Sequence, residues 1–264
     1  MDKRDLIKTG DVLLFSGNTP TGFLLKTFVS SDWNHSGIAI RFTKNISTKR
    51  PNGEIENDTV NNYKISLTEE GELYILETNT GSRKDDIYGD IIVGAGFSHA
   101  DYVFRKYNHV SVRSLHPIFR TQELADLTIK FSTLHRGNEF PSSTLPFLSV
   151  WLGISLQNST EINTEMFCSE LMAHYYSYCV GPQYQKLTNS VSNLSTLFGQ
   201  GSPTSENMFT PGHYSSLKTP NASIFSGEDT LIYVAHADFL YVILQPFLII
   251  LVIMLAIWMS LPKN

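Results

Sequence analysis

A long run without charge near the C-terminal end of the sequence constrains most strongly what this chain can fold into. Residues 239–261 read FLYVILQPFLIILVIMLAIWMSL. As a helix rising about 1.5 Å per residue, this run would cross a hydrocarbon core of roughly 30 Å. Tyr241 and Trp258 lie near its two ends, where aromatic rings favour the membrane interface. The pattern predicts one C-terminal transmembrane anchor, and the alternative is a long buried core helix.

Residues 1–235, which precede this run, are predicted to form one folded domain. The 264-residue chain is 42% hydrophobic and 17% charged, which is sufficient for a sizeable core and excludes wholesale disorder. Its formal net charge of −5 provides no basic stripe and argues against nucleic acid as the main partner. Two cysteines exclude a disulfide-rich scaffold and a four-cysteine zinc site.

The N-terminal residues and the predicted anchor together suggest a location. The first fifteen residues, MDKRDLIKTGDVLLF, carry charges but no apolar stretch before a cleavage site, so no signal peptide is predicted. The simplest topology is a single-pass membrane protein whose soluble domain lies in the cytosol.

Apolar runs bounded by turn residues predict an α+β domain. Strands are expected at residues 12–15, 36–42, 73–77 and 110–113. Helical periodicity predicts a helix over 121–136, ended by Gly137, and a second from about Glu165 to Val180, ended by Gly181 and Pro182. Two polar stretches, at about 44–66 and 183–209, are interpreted as insertions. Strands mixed with helices and long loops favour an α+β class.

Cys168 is the most informative position for chemistry. Asn163 or Thr164 is a suitable N-cap, which places Cys168 in the first turn of the second helix. The helix dipole and the free N–H groups there stabilise a thiolate and lower the pKa of the thiol. The alternative is that Cys168 is a small buried apolar residue. Cys179 lies eleven residues on, about 16 Å along a continuous helix, which is too far for a disulfide.

A nucleophilic cysteine needs a base, and His35 is the best placed candidate. It lies at the start of an apolar strand, where a ring would be held rigidly at a sheet end as a general base requires. Glu77 lies at the end of another strand and could orient the imidazole through its second nitrogen. The alternatives are an exposed or capping histidine and an ordinary charged strand end.

In combination, these motifs resemble a known family. Gly10-Asp11-Val12-Leu13-Leu14-Phe15, His35-Ser36-Gly37-Ile38, Leu76-Glu77 and Phe167-Cys168-Ser169-Glu170-Leu171 are similar to motifs of the circularly permuted papain-like cysteine hydrolases. That group includes the NlpC-type peptidases, is related to lecithin retinol acyltransferase, and has members in large DNA viruses. Two further segments, Gly137-Asn138-Glu139-Phe140 and Thr210-Pro211-Gly212-His213, look like the turn and the Thr-Pro segment of this family.

The resemblance implies a fold and a mechanism. The fold would be a permuted papain-like domain, with an antiparallel sheet packed on helices and the cysteine at a helix N-terminus. Cys168 would be the nucleophile, His35 the base and Glu77 the orienting residue. The expected activity is that of a membrane-anchored thiol hydrolase, either a peptidase, an amidase or a lipid esterase, or of an acyltransferase. The predicted anchor would keep the site near a bilayer, which favours a lipid acyl substrate, while the relatives that cut peptides imply a peptide substrate as the alternative.

The sequence has one alternative functional interpretation, and it predicts neither a cofactor nor a metal. The alternative function is a non-catalytic, membrane-tethered binding or structural protein, including a viral one, with the same fold. No cofactor is predicted, because Gly94-Ala95-Gly96 lacks the rest of a dinucleotide-binding loop. No metal is predicted, because His99 and Asp101 have no suitably spaced third or fourth ligand.

Overall fold

One seven-stranded sheet organises the protein. The computed structural model describes residues 3–17, 26, 31–44, 63–139, 166–199, 202–203, 206, 209–215, 219 and 222–234. The strands are β1 Val12–Ser16, β2 His35–Lys44, β3 Tyr63–Ser66, β4 Glu72–Lys84, β5 Ile91–His99, β6 His109–Leu115 and β7 Phe225–Val234. Their order is β5-β4-β2-β1-β6-β7, with β3 paired to β2, and these neighbours are antiparallel.

Strand β1 lies near the centre of the sheet, and its sequence explains why. All five of its residues are buried, so both faces of the strand are covered. A strand covered on both faces requires a continuous apolar run rather than an alternating one. The run Val12-Leu13-Leu14-Phe15 fulfils that requirement, and the predicted strand is confirmed.

The two faces of the sheet carry different helices. The helices are α1 Ala100–Phe104, α2 Gln122–His135, α3 Cys168–Tyr175, α4 Gly181–Thr188 and α5 Leu194–Phe198. On one face Val12 and Leu14 belong to the larger core cluster, together with Leu124 of α2 and Leu171 of α3. On the other face a smaller cluster contains Phe15 and residues of α1. The mixture of an antiparallel sheet with helices is the α+β class that the sequence predicts.

The second predicted helix is divided into three parts. Helix α3 begins at Cys168, a π-helical turn follows over Tyr176–Val180, and α4 continues from Gly181. Pro182 lies in the first turn of α4, where no N–H is needed, so proline begins a helix here instead of ending the chain's helical path. The candidate caps Asn163 and Thr164 lie outside the described residues.

The structure describes part of each predicted insertion. Residues 45–62 lie outside the described residues, and Tyr63–Ser66 adds strand β3 to the outer end of β2. The second stretch contains most of α4 and all of α5, whose Leu194, Leu197 and Phe198 are buried.

The fold class is corrected with respect to the transmembrane helix. No helix among the described residues is long and apolar enough to cross a membrane. The longest, α2, has 14 residues, which is about 21 Å against the roughly 30 Å of a hydrocarbon core. The predicted span, 239–261, lies outside the described residues.

Candidate functional site

His35 is the first residue of β2, at the edge of the sheet where β1 ends. It pairs with Phe15 of β1 and is only 8% exposed. The Tyr107 ring stacks on the imidazole, with ring centroids 5.4 Å apart and planes within 6° of parallel, and the Phe15 ring lies 5.6 Å away. These two rings hold the imidazole in one orientation and keep most water from it.

Glu77 meets His35 across two neighbouring strands. Residues 35, 37 and 39 of β2 share a face with residues 73, 75 and 77 of β4, because Ala39 pairs with Ile75 and side chains alternate along a strand. Gly37 lies between the two functional residues, and a Cβ there would be 2.5 Å from Cγ2 of Ile75. The missing side chain leaves room for the Glu77 carboxylate, whose Oε2 accepts a hydrogen bond from His35 Nε2 at 2.6 Å.

Cys168 lies next to His35, although it is more than 130 residues later in the chain. It is the first residue of α3, and Met166, two residues earlier, donates its N–H to the carbonyl of Glu139 at 2.6 Å. The turn that contains Glu139 is fixed to β5, since Ala95 donates its N–H to the carbonyl of Asn138 and Gly137 donates its N–H to the carbonyl of Ala95, both at 2.9 Å. The start of α3 is thus attached to the sheet through this turn.

The other side of α3 is held by the Thr-Pro segment. Ser169 Oγ donates to the carbonyl of Phe209 at 2.7 Å, and the Tyr214 hydroxyl donates to the carbonyl of Ser169 at 2.6 Å. A 3₁₀ turn over Pro211–Tyr214, begun by Thr210, carries the second contact. The residue that follows the cysteine is therefore fixed by two buried hydrogen bonds.

The three predicted site residues lie together. His35 has two ring nitrogens, and because Nε2 is engaged by Glu77, the second nitrogen, Nδ1, is the one available to Cys168. Cys168 and His35 are close enough for each to shift the pKa of the other. Cys168 is 7% exposed and Glu77 is 1% exposed. The geometry is that of a thiol, an imidazole and a carboxylate in sequence, and the roles of the three residues stay predictions.

The electrostatics favour charge separation between the thiol and the imidazole. Burial opposes an ionised Cys168, but the charge and hydrogen bond of His35 and the hydrogen bond of the Ser36 N–H outweigh it and lower the pKa of the thiol. Burial likewise opposes a charged His35, but Cys168 and Glu77 outweigh it and raise the pKa of the imidazole to about 10. Both shifts favour placing the proton on the imidazole rather than on the thiol.

The carboxylate is held ionised as well. Burial would raise the pKa of Glu77, but hydrogen bonding to His35, the positive charge of His35 and of Arg83, and a hydrogen bond from Ser98 lower it to about 2. Tyr107 faces the same charges. Its pKa is raised well above the usual value by burial and by the negative charge of Glu77 and Cys168, so Tyr107 is a neutral phenol against this site.

Cys179 provides an internal contrast to Cys168. Both cysteines are free, but Cys179 is fully buried, and burial raises the pKa of its thiol. It lies in the π-helical turn that follows α3, with no imidazole among the groups that influence its pKa.

Several residues at the site were not identified from the sequence. Ser98 Oγ and Asn79 Nδ2 both donate to Glu77 Oε1, at 2.7 and 2.8 Å, and Arg83 Nη1 donates to Ser98 Oγ at 2.7 Å. Ser98 belongs to β5, whose glycine-rich sequence carries a weak strand signal. The one signal in the sequence is that Asn79 and Arg83 follow Glu77 closely along the chain. Closeness in sequence does not indicate that their side chains turn back towards the carboxylate.

The residues considered as metal ligands have another role. The His99 ring accepts a hydrogen bond from the N–H of Asp101 and caps helix α1. Among the described residues, no group of three or more histidine, cysteine or acidic side chains is placed to hold a metal ion.

The comparisons with known proteins give one structural similarity. No protein-family model matches the chain. No curated protein matches it either. Among solved structures it is similar to the metalloprotein yiiX of Escherichia coli O157:H7, described as DUF1105, with 12% sequence identity and a TM-score of 0.43 over 87% of this chain and 98% of that chain. The metal in that description is a property of that protein.

These findings correct the fold class predicted from the motifs. No family model and no curated protein supports a permuted papain-like fold, and the described residues show an antiparallel sheet packed with helices, which is the α+β class. The physical reason is that the matching motifs are short. A strand start with a histidine or a helix start with a cysteine fixes local geometry, while the order and connection of the elements depend on the rest of the chain.

Proposed function

We propose that this protein is a cysteine-dependent hydrolase or acyltransferase that acts on an amide, ester or thioester carbonyl. Cys168 is the nucleophile, His35 the general acid and base, and Glu77 the residue that orients His35. The observation that carries the proposal is the 2.6 Å hydrogen bond between His35 Nε2 and Glu77 Oε2, which directs the other imidazole nitrogen to Cys168. Nucleophile, base and orienting group in this order are the components of covalent acyl transfer.

The first half of the reaction consumes the resting ion pair. The Cys168 thiolate attacks the carbonyl carbon and a C–S bond forms, with the carbonyl electrons moving to oxygen. As the tetrahedral intermediate collapses, the bond to the leaving group breaks, and His35 Nδ1 gives its proton to the leaving amine, alcohol or thiol. A thioester between Cys168 and the acyl group remains, with His35 neutral.

The second half returns the enzyme to its starting state. Neutral His35 takes a proton at Nδ1 from water or from an acceptor molecule, whose oxygen, nitrogen or sulfur attacks the thioester carbonyl. The C–S bond breaks, and Cys168 leaves as a thiolate beside the imidazolium. Water as the acceptor makes the protein a hydrolase, and another nucleophile makes it an acyltransferase.

Helix α3 can stabilise the oxyanion that forms in both halves. Its first turn includes Cys168, and the first N–H groups of a helix have no acceptor within the helix. The positive end of the helix dipole points at the same place. Donors of this kind that are fixed before the reaction typically contribute about 10²–10³ in rate.

The proposal is tested by comparing the two cysteines of the full-length chain. We expect iodoacetamide to alkylate Cys168 at least about tenfold faster than Cys179 at pH 7, since only Cys168 has a thiol pKa lowered by a histidine. His35→Ala should abolish this difference. Peptide mapping by mass spectrometry measures both rates in one sample.

Turnover is then measured with lipid ester and peptide amide probes. Cys168→Ser should reduce the rate by about 10⁴-fold or more, whereas Cys179→Ala should leave it near the wild-type value. Slow, equal labelling of both thiols, with no turnover of either probe class, would overturn the proposal in favour of a non-catalytic binding protein.

A further inference from the structure

The carboxylate of Glu77 has more hydrogen-bond donors than its contact with His35 requires. Oε2 accepts from His35, while Oε1 accepts from both Ser98 Oγ at 2.7 Å and Asn79 Nδ2 at 2.8 Å. The three donors belong to three different strands, β2, β4 and β5, and rotation of the carboxylate would break at least one of these hydrogen bonds. Its orientation is fixed by residues beyond the three proposed catalytic ones.

Ser98 is itself held in one orientation by Arg83. A hydroxyl has a single proton and can donate one hydrogen bond. Arg83 Nη1 donates to Ser98 Oγ at 2.7 Å and to the carbonyl of Phe97 at 2.8 Å. A guanidinium only donates, so Ser98 must accept from Arg83 and must direct its own proton to Glu77. The three groups form a chain of hydrogen bonds that all run in one direction.

The fold brings Arg83 back to this position by an irregularity in β4. The pairing of β4 with β5 shifts between Asn79 and Arg83, as expected for a β-bulge. Gly96 pairs with Glu77, and a Cβ on Gly96 would be 3.5 Å from Arg83 Nη2 and 2.6 Å from Oδ2 of Asp85. The absence of a side chain at Gly96 opens the space that these groups occupy.

The direction of these hydrogen bonds fixes the tautomer of His35. At their end, Glu77 can only accept, so His35 Nε2 must carry a proton in both the charged and the neutral ring. In the neutral ring this leaves Nδ1 without a proton, facing Cys168. That is the tautomer that can take a proton from the thiol or from an attacking water, and the opposite tautomer cannot.

We propose that Arg83 and Ser98 are positioning residues that select the Nε2–H tautomer of His35 by fixing the direction of the hydrogen bonds to Glu77. This inference rests on the proposed function for its catalytic meaning, but the tautomer can be observed without turnover. Arg83 and Ser98 act through Glu77 and touch neither the thiol nor the reacting carbonyl.

Glu77→Gln is the starting variant of the test. Ser98 and Asn79 both donate to the position of Oε1, so they should hold the amide oxygen there and turn the amide NH₂ group towards His35. The ring would then have to accept at Nε2 and carry its proton on Nδ1. We expect alkylation of Cys168 to slow by about 10²-fold or more, because the wrong tautomer cannot take the thiol proton.

The decisive measurement adds Ser98→Ala and Asn79→Ala to Glu77→Gln. With both donors removed, the amide can turn over and offer its oxygen to His35, so we expect a recovery of about tenfold in the alkylation rate relative to Glu77→Gln alone. Residues with only a structural role would instead slow the reaction further. As the matched control, Glu77→Gln combined with Ser132→Ala, a buried serine in α2 that donates to the carbonyl of Ile129, should give no recovery.

Nuclear magnetic resonance of the imidazole nitrogens provides the second readout. In protein whose Cys168 is blocked by iodoacetamide, neutral His35 should be the Nε2–H tautomer in the wild type and the Nδ1–H tautomer in Glu77→Gln. Arg83→Gln frees the Ser98 hydroxyl to rotate, and combined with Glu77→Gln it should populate both tautomers; Arg105→Gln, at an exposed position, should not. An Nε2–H ring in Glu77→Gln, or a triple variant slower than the single one, would overturn this inference while leaving the reactivity of wild-type Cys168 intact.

Discussion

Two buried ion pairs lie towards opposite ends of the central strand β1, and they are built differently. At one end Asp11, just before the strand, accepts from Arg120 at 2.5 Å, and its remaining acceptor positions are filled by the N–H groups of Lys8 and Leu115. At the other end Glu77 pairs with His35, and the second nitrogen of His35 faces a thiol.

The partners explain why one pair is structural and the other is suited to chemistry. The Asp11 pair is closed by backbone amides and a guanidinium, which do not exchange protons near neutral pH. The His35 pair ends at Cys168, which can lose and regain a proton. The pKa directions differ accordingly. Burial outweighs Arg120 and raises the pKa of Asp11, whereas His35, Arg83 and Ser98 together outweigh burial and lower the pKa of Glu77.

The largest expected difference between the two ends is in stability. Asp11→Ala leaves Arg120 buried without its carboxylate partner, so we expect the free energy of unfolding to fall by about 3–5 kcal/mol. Urea denaturation measures this loss. Below the transition, Cys168 should still be alkylated at the wild-type rate. Slower alkylation of Cys168 in folded Asp11→Ala protein would mean that the two ion pairs are coupled, and it would contradict the division into a structural and a chemical pair.

The second largest expected difference between the two ion pairs is in how acid changes the free energy of unfolding. The pKa of Glu77 is lowered from 4.5 to about 2, so its contribution to stability is complete above pH 4.5 and is lost as the pH falls towards 2. We expect a loss of roughly 1–3 kcal/mol over this range. Asp11 has a raised pKa, so protonation there does not add to the loss.

The same acid titration of Glu77→Gln provides the check. Its free energy of unfolding, measured by urea denaturation between pH 5 and 2, should vary less than that of the wild type. An identical pH dependence in both proteins would show that the carboxylate at position 77 is not the group whose protonation destabilises the fold.

Substitution of two glycines, one near each ion pair, should have smaller effects on stability. A Cβ on Gly10, whose φ is +87°, would be 2.7 Å from Leu115 Cδ2, and one on Gly37 would be 2.5 Å from Ile75 Cγ2. Either substitution by alanine should destabilise the fold by about 1–3 kcal/mol. Only Gly37→Ala should also slow the alkylation of Cys168, because the displaced strand carries both His35 and the space for Glu77. Equal alkylation rates in the two folded variants would contradict this.

Local patterns predicted much of the framework. The apolar runs correspond to β1, β2 and the first part of β4, and the alternation at Val110–Arg113 lies within β6. Helix α2 spans Gln122–His135, one residue inside the predicted bounds at each end, and Gly137 lies in the turn after it at a φ of +77°. These elements were predictable because their signals are contained in a few neighbouring residues.

Strand β5 and the overall fold could not be predicted from local patterns. Strand β5 has three glycines or alanines in succession at its centre, and its strand conformation follows from pairing with β4 rather than from its own propensity. The fold name taken from the motifs needed correction, because it came from short stretches considered without the rest of the chain.

Local sequence is enough to predict which side chains are chemically suited to a thiol site and where each lies in its own element, with Cys168 at a helix start and His35 at a strand start. That Ser98, Asn79 and Arg83 surround Glu77 becomes visible in the folded protein alone. The physical reason is that hydrogen bonds between strands depend on register and on the bulge in β4, and neither is recorded in the spacing of residues along the chain.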